Sequence, residues 1–143
     1  MCQHTHTQIH DMEIVSLNSL IEKSIIDNWN RDALTDFKGA TLQYHDVARK
    51  IEKLHIMFEN SGVQQGDKIA LCGRNSACWA VAFLATLTYG AVAVPILHEF
   101  TAEQIHNIVN HSGAKLLFAC GVENGEAHLC SRAPQRDVWK EIS

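Results

Sequence analysis

The sequence predicts an α/β fold: a partial doubly wound parallel sheet, βαβαβ in order, preceded by a helix, a small hairpin and a second helix. The first observation behind this is alternation. Short β-prone runs at residues 67–73, 91–96 and 115–119 are separated by helical patterns at 75–89 and 101–112, and such alternation with short joints builds a parallel sheet from right-handed crossovers. The second is residues 77–96, "ACWAVAFLATLTYGAVAVPI", which carry no charged side chain; elements buried on both sides read this way. The third is punctuation, with Gly66, Gly90 and Gly113 standing where turns or helix ends are needed.

Residues 1–14 are polar and read as a flexible N-terminal tail. His4, His6 and His10 lie close together there, but no carboxylate or cysteine cluster completes a set of metal ligands. From Ser16, suited to an N-cap, Leu17, Leu20, Ile21, Ile25 and Trp29 recur at spacings of three and four, which is a helix with one apolar stripe. "ALTDFKGATLQY" places two β-prone pieces around Lys38-Gly39 as a hairpin. A second helix follows over residues 45–61, with Val47, Ile51, Leu54 and Phe58 on one face and Gly62 just past its end.

"DKIALCG" is the first strand of the parallel set, entered through Gly66. In the next helix Asn75 or Ser76 can cap the start, and Trp79, Ala80, Phe83, Leu84 and Leu87 form the expected apolar face. After "AVAVPI", Thr101 and Gln104 match a capping box, with Ile105, Ile108 and Val109 facing inward, and "KLLFA" is the third strand. Residues 120–143 show neither a 3.6-residue period nor an apolar strand; a divergent loop with a short helix at "DVWKEIS", or a truncated end, is expected there.

Composition narrows the function. The chain has 143 residues, 46% hydrophobic and 20% charged, the balance of a globular domain or a piece of one rather than of a disordered chain. A net charge of -4 without basic runs argues against a general nucleic-acid binder. The five cysteines (Cys2, Cys72, Cys78, Cys120, Cys130) are odd in number and none forms a C-x-x-C pair. With no secretory signal at the start, a cytoplasmic protein with reduced thiols is expected. Twenty uncharged residues at 77–96 would also match a bilayer-spanning helix, which needs ~20 apolar residues. Gly90, Pro95, six alanines and two threonines in that stretch, and the lack of a flanking basic cluster or aromatic belt, favour a buried helix and strand over a transmembrane span.

The residues from "ALTDFKGATLQY" to "AVAVPI" resemble the beginning of the AMP-forming acyl-CoA synthetases, the adenylate-forming ligases (AMP-dependent synthetase and ligase). The landmarks are Tyr44 at the helix start, Gly62-Val63, Gly66-Asp67-Lys68-Ile69-Ala70-Leu71, Asn75-Ser76, Gly90-Ala91 and Val92-Ala93-Val94-Pro95. "HSGAKLLF" resembles the family's next helix end and strand, and the likeness covers roughly residues 16–119. By this resemblance residues 15–119 are the N-terminal segment of a ligase domain, residues 1–14 a tail and residues 120–143 a divergent or truncated end.

The resemblance implies a full-length enzyme that activates a carboxylic acid with ATP to an acyl-adenylate, releasing pyrophosphate, and passes the acyl group to coenzyme A. ATP, Mg²⁺ and coenzyme A are implied for that full-length form only, and the general look is of the long-chain fatty-acid type. The family's Ser/Thr/Gly-rich phosphate loop, aromatic-x-x-Thr-Glu motif, ribose-binding Asp and C-terminal lysine motif have no match in these 143 residues. The resemblance therefore assigns no catalytic, cofactor-binding or metal residue, and the chain alone is expected to be inactive.

His98-Glu99-Phe100 follows a strand end, where open sheets place ligand loops, though a solvated connection serves as well. Arg74-Asn75-Ser76 opens a helix and can hold an anion or simply cap it. His106 and His111 are five apart, off the i,i+4 spacing of paired ligands. Trp79 and Phe83, at i,i+4, read as core contacts. Two other classes remain open: a stand-alone α/β binding or partner-interaction module, and a single-span membrane protein through residues 77–96. In a fragment the exposed sheet edge also favours self-association.

Overall fold

The computed structural model describes residues 15–120, 127–132 and 139–142. The tail over residues 1–14, with its three histidines and Cys2, lies outside the described residues. Helix α1 (Leu17–Asp27) is capped by the Ser16 hydroxyl, which accepts the Ser19 N–H at 3.1 Å. Strands β1 (Asp32–Thr35) and β2 (Thr41–Gln43) pair antiparallel as the expected hairpin. Helix α2 (Tyr44–Asn60) starts where the Gln43 N–H donates to the Asp46 carboxylate at 3.0 Å.

The main sheet begins with β3 (Lys68–Cys72), followed by α3 (Ala77–Tyr89), β4 (Val92–Ile96), α4 (Ala102–Ser112) and β5 (Leu116–Cys120). β3 lies in the middle of this set, parallel to β4 on one side and to β5 on the other. α3 ends at Gly90, whose φ of +84° is the left-handed conformation that costs a residue without Cβ least. The reciprocal capping box of α4 forms: Thr101 N–H donates to Gln104 Oε1 at 2.9 Å, and Gln104 N–H to Thr101 Oγ1 at 3.3 Å.

The alternation of side chains along β3 explains the doubly wound arrangement. Ile69 and Leu71 belong to a core with Val47, Ile51 and Phe58 of α2, Val81, Ala82 and Ala85 of α3, and Leu116 and Phe118 of β5. Ala70 belongs to a second cluster with Ile96 of β4, Val109 of α4 and Ala114. The parallel strands are thus covered on both faces, α2 and α3 on one and α4 on the other, although on β4, at the sheet edge, Val92 and Pro95 stay exposed where a strand buried on both sides was expected. Fully burying a side chain such as Ile69 or Leu71 (each 0% exposed) contributes about 1.5–3 kcal/mol. No helix among the described residues is long and apolar enough to cross a membrane.

Three expectations need correction. After β5 the chain continues as β6 (Ala127–Arg132), antiparallel to β5, and β7 (Trp139–Ile142), antiparallel to β6. A strand therefore stands where a short helix was expected, and another where no strand was. Antiparallel strands are held by their backbone ladder and need no continuous apolar run, so periodicity is silent there. In α3 the buried positions are Ala77, Val81, Ala82, Ala85 and Thr86. The larger Trp79, Phe83 and Leu84 are only half-buried at the margin, because the small residues let the helix backbone approach the sheet. Finally, the apolar stripe expected on α1 is shorter and shallower: Trp29 lies past the helix end at Asp27, Leu17 and Leu20 stay exposed, and Ile21 and Ile25 are half-buried.

Candidate functional site

From β3 the chain turns toward β4, and from β5 it turns the opposite way toward β6. The carboxyl ends of β3 and β5 therefore bound the point where strand order reverses, where open α/β sheets leave a crevice for ligands. The residues there are Cys72 and Gly73 at the end of β3, Ser76 to Cys78 at the start of α3, and Cys120 at the end of β5.

In this chain the crevice is filled. A Cβ at Gly73 would meet the Cβ of Cys120 at 2.8 Å, so only glycine permits this approach. The Sγ of Cys120 donates to the Sγ of Cys78 at 3.1 Å. The N-terminus of α3, the natural place for an anion, is occupied from within the protein. Asp36, in the hairpin turn, accepts the Ala77 N–H at 2.8 Å, and the Ser76 hydroxyl accepts the Trp79 N–H at 3.1 Å.

Of Arg74-Asn75-Ser76, then, Ser76 is a helix cap, while Arg74 and Asn75 are exposed. His98 and Glu99 are exposed beyond the end of β4, with His98 Nδ1 at 3.3 Å from Glu99 Oε2. Phe100 is half-buried against the second core cluster. His106 and His111 are both exposed on α4, and His106 is bonded to Asn110. Trp79 and Phe83 stack at 5.3 Å between ring centroids and pack against the first core cluster. The structure therefore does not gather the sequence-selected residues into one site.

The thiol cluster is what sequence spacing missed. Hydrogen bonding from Cys120 holds the Cys78 thiol below its ordinary range, with the positive charge of Lys50 acting in the same direction. The same contact, together with burial, pushes the Cys120 thiol well up. Burial raises Cys72. Cys78 and Cys120 are 42 positions apart, so no local motif could have paired them.

The nucleotide and Mg²⁺ of the resembled family do not fit these residues. No group of three His, Cys, Asp or Glu among the described residues could hold a metal, and of the α3 N–H groups that might hold a phosphate, those of Ala77 and Trp79 are already bonded to Asp36 and Ser76. No step through ATP, Mg²⁺ or coenzyme A follows from them.

A parallel α/β unit with helices on both faces and its strand order reversing beside β3 is the class of structure found in nucleotide-dependent enzymes with doubly wound sheets. The chain belongs to the AMP-binding enzyme family, whose pattern matches residues 22–142 and so includes β6 and β7. It is 28% identical over 81 residues to the fatty acid–[acyl-carrier-protein] ligase ScoC of Streptomyces coeruleorubidus, which covers 57% of this chain and 16% of that protein. It is 34% identical over 74 residues to the long-chain-fatty-acid–CoA ligase FadD15 of Mycobacterium bovis, 52% of this chain and 12% of the relative. The N-terminal subdomain of NpsA from Klebsiella oxytoca has the same fold, with a TM-score of 0.66 and 22% identity over 76% of this chain and 28% of that one. The chain thus matches as a segment of the N-terminal part of an adenylate-forming ligase, and spans under a fifth of these two curated relatives.

Proposed function

We propose that this chain is the N-terminal segment of an ATP-dependent, AMP-forming acyl-CoA synthetase that activates a fatty acid through an acyl-adenylate, and that these 143 residues alone do not catalyse adenylation. The observation that carries this is the family match over residues 22–142 in a chain whose sequence holds none of the family's phosphate-loop, ribose or lysine motifs. The fatty-acid ligases among its relatives support the choice of acid. The segment's role in the whole enzyme is then structural: it supplies three parallel strands and the helices that cover both their faces. Adenylation needs fixed positive groups around the phosphates and carboxylate, and those would come from elsewhere in the ligase.

The test is fatty-acid-dependent ATP–pyrophosphate exchange with the purified chain. Exchange at the level of a no-enzyme control is expected; exchange above it overturns the assignment of inactivity. A reading frame continuing downstream into a Ser/Thr/Gly-rich phosphate loop would support the larger assignment. A self-contained binding module, by contrast, would run as a monodisperse monomer with one cooperative melt and no such continuation. The edge strand β4, with Val92 46% exposed, supports concentration-dependent self-association of the isolated segment. Pro95 on that strand has no N–H to donate and limits how far such pairing extends. Sedimentation over a range of protein concentrations reads this out.

A further inference from the structure

We propose that Cys78 and Cys120 are a redox-responsive dithiol that a peroxide closes to an intrachain disulfide, tying the first turn of α3 to the end of β5. The two sulfurs already face each other at 3.1 Å, with Cys120 as donor. Both residues are half-buried, so a small oxidant can reach them. The approach is built into the fold: Gly73 leaves room for the Cys120 Cβ, which any side chain there would strike at 2.8 Å. β5 is held beside β3 in register, with Cys72 opposite Ala119.

The chemical asymmetry of the pair suits the reaction. Cys78 stands in the first turn of α3, where the helix dipole favours a thiolate. The Cys120 hydrogen bond, the largest influence, and Lys50 act in the same sense, against burial and the nearby Asp36. The Cys78 thiolate attacks one peroxide oxygen; the O–O bond breaks, leaving Cys78 as a sulfenic acid and releasing hydroxide, which takes up a proton as water. The Cys120 sulfur then attacks the Cys78 sulfur and loses its proton. The S–O bond breaks, and the departing hydroxide leaves with that proton as a second water. The two sulfurs together lose two electrons and the peroxide gains two. A dithiol reductant reverses the bond by exchange. Cys72 is a third thiol close by, but burial holds it protonated and it makes no hydrogen bond to either partner among the described residues.

The experiment treats the full 143-residue chain with one equivalent of hydrogen peroxide, blocks remaining thiols with N-ethylmaleimide, and maps the cysteines by mass spectrometry. Trypsin followed by cleavage after Glu separates Cys120 from Cys130. The expected result is a cross-linked peptide pair carrying Cys78 and Cys120, two hydrogens lighter than the dithiol, with Cys72 blocked. The cross-link should raise Tm by about 10 °C, since it closes a long loop, and dithiothreitol should reverse the rise. Cys78→Ser and Cys120→Ser should each remove the cross-link, while Cys72→Ser should keep it. Thiol mapping of the unsubstituted chain stands even if a variant fails to fold. The proposal is overturned if Cys78 or Cys120 cross-links instead to Cys72, or if both remain fully blocked by the maleimide after peroxide. It is equally overturned if Cys78 is oxidised beyond the sulfenic acid while Cys120 stays free.

Discussion

Replacing Asp36 by alanine tests how the hairpin is tied to the parallel sheet. Asp36 lies in the turn between β1 and β2, yet its carboxylate accepts the Ala77 N–H at 2.8 Å, 41 residues away, at the start of α3. Removing it deletes a hydrogen bond to a charged group, worth about 1.5–3 kcal/mol net in a favourable setting. It also removes a negative charge from a helix N-terminus, worth about 0.3–1 kcal/mol. The group is only part-buried and water can reach the orphaned N–H, so the low end applies and the two contributions overlap. A loss of about 1.5 kcal/mol is expected, or roughly 6 °C in Tm for a chain of this size. Asp36→Asn keeps an acceptor oxygen without the charge and should lose about half as much. Urea unfolding followed by circular dichroism, with the slope unchanged from the parent chain, gives both values. A change below about 0.3 kcal/mol for Asp36→Ala, or equal losses for the two variants, would refute the charge-assisted cap.

Other outcomes follow from the core and the surface. Phe58 is fully buried and meets Tyr89 edge-on at 5.5 Å between centroids. Phe58→Ala should cost about 3–5 kcal/mol, and calorimetry should show either a large fall in Tm or no cooperative melt. Ala82→Leu forces a larger side chain between α3 and the sheet, where Ala82 is 0% exposed; about 1–3 kcal/mol of destabilisation is expected from denaturant midpoints. The Lys115 ammonium, 2.8 Å from Asp67, and the Gln64 N–H hold the Asp67 carboxyl below its ordinary range. Its ionised form is therefore favoured by folding, and the contribution is present above the unfolded carboxylate value and lost as pH falls below about 4. Asp67→Asn should show a shallower loss of stability over that acid range in parallel melts, and equal slopes would count against the pairing.

Much of this architecture is legible in the residues because local chemistry and tertiary demand agree. Ser16, Ser76 and Thr101 cap the helices they precede, Gly90 and Gly113 end α3 and α4 in left-handed conformations, and the alternation from residue 67 to 120 dictates the crossovers. The family likeness in residues 16–119 agrees with the match over residues 22–142. The candidate site was less legible. Arg74, His98 and Glu99 stand at strand ends as expected but remain exposed, since nothing in the described residues closes over them.

Neighbours a few residues apart are enough to set the element order from α1 to β5, the caps of α1, α3 and α4, and the uncharged run over residues 77–96, and these were readable along the chain. Which α3 face is innermost, how Asp36 reaches Ala77, where β6 and β7 pair, and that Cys78 meets Cys120 emerge only in the folded chain. Those contacts join positions brought together by strand order, and strand order is set by which covered sheet buries the most apolar surface, a property of the whole chain that no local spacing encodes.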